Sequence, residues 1–461
     1  MYGRTPMTPL GPRLVVAGTH SGVGKTTVAT GLTAALRAAG HRPATAKVGP
    51  DFIDPGYHAL ASGRPPRNLD AWLCGEEAIA PLAARAADGA GLLVIEGVMG
   101  LFDGAADGRA SSTADVARLL GAPVILVVDA AALAGSVAAI VHGFATLDPS
   151  VAVAGVILNR VGSDGHETQL REALVPLGVP VLGALRRDDR LTWRDRHLGL
   201  VPVAEQPDTV VRSLDALGAA VAERLDLGAL VALARSAPPL PVPAAVPLPE
   251  PGPSVRVAVA GGPAFTFTYA DTVDALAAGG ADVVPFDPLR DPALPEAVDG
   301  LVVGGGFPET FAAELAANRP LLADAAARVR AGLATWAECG GLLWLARELD
   351  GHPMAGVVPT AGRMTDRLRL GYRTATTAAA GPLGPAGTTF RGHEFHYSRT
   401  DPGGDALHLA SRFGEGPEGF AGPRLLATYV HHHPGGDPSA VAGFLTACRA
   451  AQDADGEGGG T

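Results

Sequence analysis

Short apolar runs recur through the first half of the chain, with helical patterns between them. Runs at 13–18, 43–47, 91–96, 123–129, 153–159 and 180–185 predict strands, and 26–39 and 136–147 fit helices. Strands that are apolar throughout and alternate with helices predict a parallel sheet covered on both faces. The stretch 236–253 is dominated by proline, which fixes φ and has no N–H, so it can be neither helix nor central strand. It predicts a stiff extended spacer and a domain boundary. Beyond it the pattern resumes with strands at 255–260, 282–286 and 300–304 and helices near 270–279 and 322–333, a second α/β unit. The expected division is a first domain over 1–235, the spacer, a second domain over 254–450, and a Gly-rich acidic tail, 451–461, expected to be disordered.

Composition narrows the class. With 47% hydrophobic and 18% charged residues the chain reads as globular. A net charge of −11 argues against a nucleic-acid partner. Arginines nonetheless cluster at 186–196 (Arg186, Arg187, Arg190, Arg194, Arg196) and at 363–373 (Arg363, Arg367, Arg369, Arg373), patches able to hold a polyanionic small molecule. The three cysteines, Cys74, Cys339 and Cys448, give neither a disulfide framework nor a zinc pattern. No leader-like segment and no apolar run of membrane-spanning length occurs, so a cytoplasmic protein without membrane contact is expected.

Two segments carry candidate chemistry. The first, Gly18–Thr27, follows a predicted strand and opens a predicted helix, the setting a phosphate-binding loop requires. Gly22, Val23 and Gly24 would bring backbone N–H groups to phosphate oxygens, Lys25 can reach the β and γ phosphates, and the Thr26 hydroxyl, followed by Thr27, can ligate Mg²⁺. Thr19 stands where the common signature has glycine, which makes this a deviant loop. Acidic residues recur at strand ends: Asp51 and Asp54 after Lys47, and Glu96 followed by Asp103. Ligands of open α/β sheets sit outside the carboxyl ends of strands, and carboxylates there suit Mg²⁺. Asn159, after the run 153–158, could read a purine edge or simply form a turn.

The second segment is Ala337-Glu338-Cys339-Gly340-Gly341, between an apolar stretch and a helical one. Strand, sharp turn and helix make an elbow that displays a nucleophile at a helix N-terminus, where the dipole would lower the thiol pKa. The amides of Gly304-Gly305-Gly306 could form an oxyanion hole. A general base is available in His431-His432-His433, after the run 425–430.

With these residues in place, the chain resembles, over nearly its full length, the corrinoid-pathway a,c-diamide synthases, which are glutamine-dependent amidotransferases. Besides Gly18–Thr27, the match rests on Lys47–His58, Glu96–Gly104 and Arg391–Ser398. The resemblance implies a P-loop, dethiobiotin-synthetase-like parallel-sheet domain joined to a class I-type α/β glutamine amidotransferase domain. It implies ATP with Mg²⁺, L-glutamine and a corrinoid polycarboxylate as ligands, and allows a homodimer. The first domain would phosphorylate a carboxylate of hydrogenobyrinic or cobyrinic acid. The second would hydrolyse glutamine through a Cys339 thioester, and the ammonia would meet the acyl phosphate. By the same match Lys25, Thr26 and Lys47 handle phosphates, and Thr26, Asp51 and Glu96 lie near Mg²⁺. Asp51, Phe52, Ile53, Asp54 and Asp103 lie near the activated carboxylate, and His431 is the glutaminase base. Ordinary glutaminases carry glutamate two residues beyond that base; here the position is His433, which leaves a dyad and keeps His433 as an alternative base. Other readings are a nickel-sirohydrochlorin diamide synthase, a cobyric acid synthase, and a partitioning-type nucleotide switch fused to an inert glutaminase-like module. His20, where the partitioning proteins carry lysine, favours the synthetases.

Overall fold

The computed structural model describes residues 9–105, 107–187, 195–196, 199–200, 202–205, 207–242, 246–412 and 414–458. The chain divides into two compact units, Met1–Val246 and Pro247–Thr461.

The first unit is built on seven strands: β1 (Arg13–Gly18), β2 (Pro43–Val48), β3 (Asn68–Leu69), β4 (Leu92–Glu96), β5 (Val124–Asp129), β6 (Val153–Val161) and β7 (Val181–Arg186). They pair in the order β3-β2-β4-β1-β5-β6-β7, every pair parallel. Every residue of β1, β2 and β4 is buried, as expected of strands with a helix layer on each side. Two helices matter for function, α1 (Lys25–Ala38) and α2 (Asp54–Ser62). Arg13 is a charged residue inside this core, 0% exposed. Its guanidinium donates to the carbonyls of Leu10, Gly11, Leu120 and Pro238, which fastens the start of the Pro-rich stretch to β1.

The second unit holds two sheets. A six-stranded sheet takes Ala281–Phe286, Val255–Ala260, Gly300–Val303, Ala334–Glu338, Leu425–Thr428 and Phe420–Gly422 in that spatial order; only the last pair is antiparallel. The other sheet is organised by a long hairpin, Ala361–Thr377 with Thr389–Asp401, to whose second strand His431–His432 is added. The apolar pattern did not predict this hairpin, because its first strand is rich in Arg, Thr and Gly and mostly half-buried or exposed. The final helix runs Ser439–Gly458, so 451–458, expected to be disordered, is helical. Ala447, Ala450, Ala451 and Ala454 favour its continuation.

Candidate active sites

The phosphate loop sits where β1 ends. Gly22 and Gly24 have φ of 81° and 97°, values open to glycine at little cost, and Gly24 caps α1 with no side-chain hydrogen bond to the first turn. The orphan N–H groups at that helix start are therefore left for an anion. Lys25 folds back and donates to the His20 carbonyl at 3.1 Å. Burial and the neighbouring Lys47 pull its pKa down to about 8. Asn159 lies beneath the loop. Its Nδ2 donates to the Val23 carbonyl at 2.8 Å, which supports the loop. A Cβ on Gly24 would stand 2.2 Å from that nitrogen.

The strand-end acids converge on one cation. Lys47 Nζ donates to Asp54 Oδ2 and Glu96 Oε1, both at 2.7 Å, and to the Gly97 carbonyl at 3.1 Å. The Thr26 hydroxyl reaches Glu96 at 2.7 Å and Asp54 at 3.1 Å. His58, on α2, holds the other Glu96 oxygen at 2.6 Å; the sequence reading gave it no role. Burial opposes the charge on Glu96, but Lys47 and His58 outweigh it and hold the carboxylate well below its usual range. Burial also works against the Lys47 ammonium, and Asp54, Glu96 and Asp51 more than offset it, raising its pKa. Burial and Asp51 push Asp54 up to about 8 against the pull of Lys47. Asp51 stands further out, 4.0 Å from Lys47, and its Oδ1 accepts from the Ile53 and Asp54 amides. Asp54 is thus more central than Asp51 to the oxygen cluster around Thr26. The Gly97–Gly104 loop packs on the phosphate loop through Leu101 N–H to the Gly18 carbonyl, and Asp103 braces it by accepting from Gly100.

In the second unit Cys339 ends the strand Ala334–Glu338 with φ 49° and ψ −98°, outside the ordinary regions for an L-residue. Such a backbone costs about 1–3 kcal/mol and persists when neighbours over-determine it. Here the Cys339 amide donates to the Thr428 carbonyl at 2.7 Å, and the following helix, Gly340–Leu345, packs so closely that a Cβ on Gly341 would meet the Val303 carbonyl at 2.1 Å. The thiol pKa is not lowered. Burial pushes it up, and Glu309, Glu338 and Glu394 add to the effect; a helix of six residues does not overcome them. The shift favours the neutral thiol, which makes a neighbouring base important.

His431, the histidine expected to be the base, is placed against the same glycine turn as the residue after the thiol. It is fully buried, and Gly305 packs against it so tightly that an added Cβ would lie 2.5 Å from Cε1 and 3.3 Å from Nε2. The same glycine's carbonyl carbon lies 3.3 Å from where a Cβ on Gly340 would stand, so the Gly304–Gly306 turn touches both the imidazole and the residue after the thiol. The Gly305 N–H donates to the Phe267 carbonyl, which removes it from the expected oxyanion hole; the Gly306 nitrogen is the one nearest Gly340. His393 stacks on His431, centroids 4.9 Å apart, and meets the Tyr269 hydroxyl at 2.9 Å. His433 is turned elsewhere. Its Nδ1 accepts from Gly435, its Nε2 lies 3.9 Å from Asp271, and its ring rests on Tyr269. His432 packs on Trp336 and Phe390, where burial brings its pKa down to about 4.

The arginine patches divide. Arg373 is spent inside the fold on Glu394, whereas Arg363, Arg367, Arg369, Arg391 and Arg399 are exposed. Arg186 pairs with Asp164 and Glu167. Arg190 and Arg194 lie outside the described residues.

Among the described residues no helix is long and apolar enough to cross a membrane. The family model for a CobQ/CobB/MinD/ParA nucleotide binding domain matches residues 14–201, and that for a CobB/CobQ-like glutamine amidotransferase domain matches 256–438. The hydrogenobyrinate a,c-diamide synthase of Streptomyces coelicolor is 51% identical, over 95% of this chain and 98% of its own. That of Thermobifida fusca is 47% identical over 97% and 98%. The cobyrinate a,c-diamide synthase of Syntrophotalea carbinolica is 44% identical over 95% and 99%.

Proposed function

The chain belongs to the a,c-diamide synthase family, and we infer that it converts two peripheral carboxylates of a corrin to amides, using ATP and the amide nitrogen of glutamine. Hydrogenobyrinate is the favoured acceptor, since the relatives at 47–51% identity carry that name and the cobyrinate enzyme stands at 44%. The observation that carries the reading is that a phosphate loop with its acidic cluster and a buried Cys339 elbow beside His431 occur in a chain matching diamide synthases end to end.

The nucleotide would lie with its phosphates against the amides of Gly22–Gly24, with Lys25 on the β and γ phosphates and Thr27 beside them. The cluster at Thr26 fits a hard divalent cation, because its donors are all oxygen and an ammonium already stands among them. Thr26, Asp51 and Glu96 would hold Mg²⁺, with Asp54 alongside, and the ion when bound would neutralise phosphate charge. Lys47 keeps those carboxylates from repelling one another. A substrate carboxylate oxygen, positioned near Asp51, Phe52, Ile53, Asp54 and Asp103, attacks the γ phosphorus, and ADP leaves. At the other site His431 takes the Cys339 proton as sulfur bonds the glutamine amide carbon, then returns it to the departing nitrogen. Water cleaves the thioester to glutamate. The released ammonia attacks the acyl phosphate carbonyl, phosphate leaves, and the amide is formed. The exposed arginines of the 363–399 hairpin suit the acceptor's other carboxylates.

The test is incubation with ATP and glutamine of hydrogenobyrinic acid, cobyrinic acid and nickel-sirohydrochlorin side by side, followed by mass spectrometry. Two successive exchanges of OH for NH₂ on hydrogenobyrinic acid are expected. ATP hydrolysis with no product on any acceptor would favour a nucleotide switch.

A further inference from the structure

Removing a proton from a buried thiol requires an imidazole held in one tautomer, with its far nitrogen facing the sulfur. In Cys–His hydrolytic centres a third polar group usually enforces this by accepting from the other ring nitrogen. The position two residues beyond His431, where such a carboxylate would be sought in sequence, is His433, and that ring is occupied with Gly435, Asp271 and Tyr269.

We propose that Glu338, the residue immediately before the nucleophile, is the positioning carboxylate of His431, so that the centre is a triad whose acid comes from the nucleophile's own strand. Glu338 Oε2 lies 3.6 Å from His431 Nδ1, close enough to tighten into a hydrogen bond when substrate binds. Its other oxygen is fixed, because Oε1 accepts the His432 backbone N–H at 3.1 Å. The carboxylate is therefore pinned to the backbone beside the base it would orient. The strand Ala334–Glu338 runs parallel to Leu425–Thr428 with Glu338 opposite Thr428, which brings the side chain of one strand end to the segment leaving the other. Gly305 lies against the Cε1–Nε2 edge of the ring, while Nδ1 faces Glu338. With His393 stacked on one face, the imidazole is confined by three different elements. Glu338 fixes the Nδ1–H tautomer, leaves Nε2 to take the thiol proton, and stabilises the imidazolium that results.

The inference rests on His431 acting as the glutaminase base, so the test carries a control for that reading. Glu338→Gln, Glu338→Asp and Cys339→Ser are made in the full chain. Glutamine hydrolysis is measured at steady state, and corrin amidation is measured with ammonium chloride in place of glutamine. Glu338→Gln retains an oxygen for the His432 amide and removes only the charge. It is expected to lower kcat for glutamine on the order of 100-fold or more while leaving KM and ammonia-driven amidation unchanged. Glu338→Asp is expected to recover part of that kcat. A wild-type kcat in Glu338→Gln, a loss expressed in KM, or an aspartate no better than glutamine would overturn the proposal. Glutamine hydrolysis that survives Cys339→Ser would instead overturn the glutaminase reading beneath it. Should Glu338→Gln unfold at lower denaturant than the parent, the aspartate variant alone decides.

Discussion

The two candidate sites both lie at carboxyl ends of parallel strands, yet they are organised by opposite means. Around Thr26 the order is electrostatic: Lys47, 3% exposed, is held by Asp54 and Glu96, and Glu96 is held in turn by His58. Around Cys339 the order is steric and backbone-borne. The nucleophile has a positive φ outside the ordinary regions, glycines at 305, 306, 340 and 341 admit close approach, and burial raises the thiol pKa. The first arrangement resembles a site waiting to exchange one set of charges for another. The second must generate its charge during the reaction. Side-chain substitution should therefore damage folding at the first site and chemistry at the second.

Cys339→Ser puts that contrast to its most demanding test. Glutamine hydrolysis should fall by about 10⁶-fold, as when a nucleophile acting as part of a unit is removed, with ammonia-driven amidation retained. Loss of both activities would erase the distinction between the sites. Lys47→Met leaves buried carboxylates without their cation. Breaking such a pair costs about 3–5 kcal/mol, so the urea midpoint of the first unit should drop sharply while glutamine hydrolysis continues. A midpoint within error of the parent would mean that the cluster is not held together by this charge.

Smaller effects sharpen the comparison. Gly305→Ala drives a methyl against His431, and a displacement of about 1 Å at a catalytic group can cost about 100-fold in rate. Glutaminase kcat should fall on that order with the fold intact. The double change Arg367→Ala with Arg369→Ala should raise the corrin KM by roughly tenfold, the cost of about 1.4 kcal/mol of lost carboxylate contacts, and leave glutaminase turnover unaltered. An unchanged KM would remove these arginines from substrate binding. The smallest effect concerns Glu418. Burial pushes this carboxyl up to about 7, although it accepts from Thr428 and Tyr429. Between its ordinary pKa near 4.3 and about 7 the native state binds the extra proton, so the stability of the second unit should decline as pH rises through that window. Urea midpoints at pH 5.5 and 8 should show the slope in the parent and lose it in Glu418→Gln.

Sequence reading reached what is local. The phosphate loop, the elbow and most core strands announce themselves within about ten residues, because turn chemistry and apolar runs are short-range properties. What it missed depends on pairing between distant segments. His58 meets Glu96 and Glu338 meets His431 only once strands are laid side by side. Asp51 and Asp54 are equivalent on paper, and the start of α2 decides which one turns toward Lys47 and Thr26. The thiol was expected to be acidic from its place at a helix start. Burial and three carboxylates reversed that, and none of these is adjacent in sequence except Glu338. The hairpin 361–401 escaped because its first strand carries no apolar alternation.

The central claim is that one chain joins phosphate activation at the first site to nitrogen release at the second. Glutamine labelled with ¹⁵N at the amide, supplied with ATP and hydrogenobyrinic acid, tests it most directly. The account predicts two labelled amides in the corrin from the parent chain. From Cys339→Ser it predicts none with glutamine and two with ¹⁵N-ammonium. A corrin that gains no labelled nitrogen while ATP is consumed would contradict it.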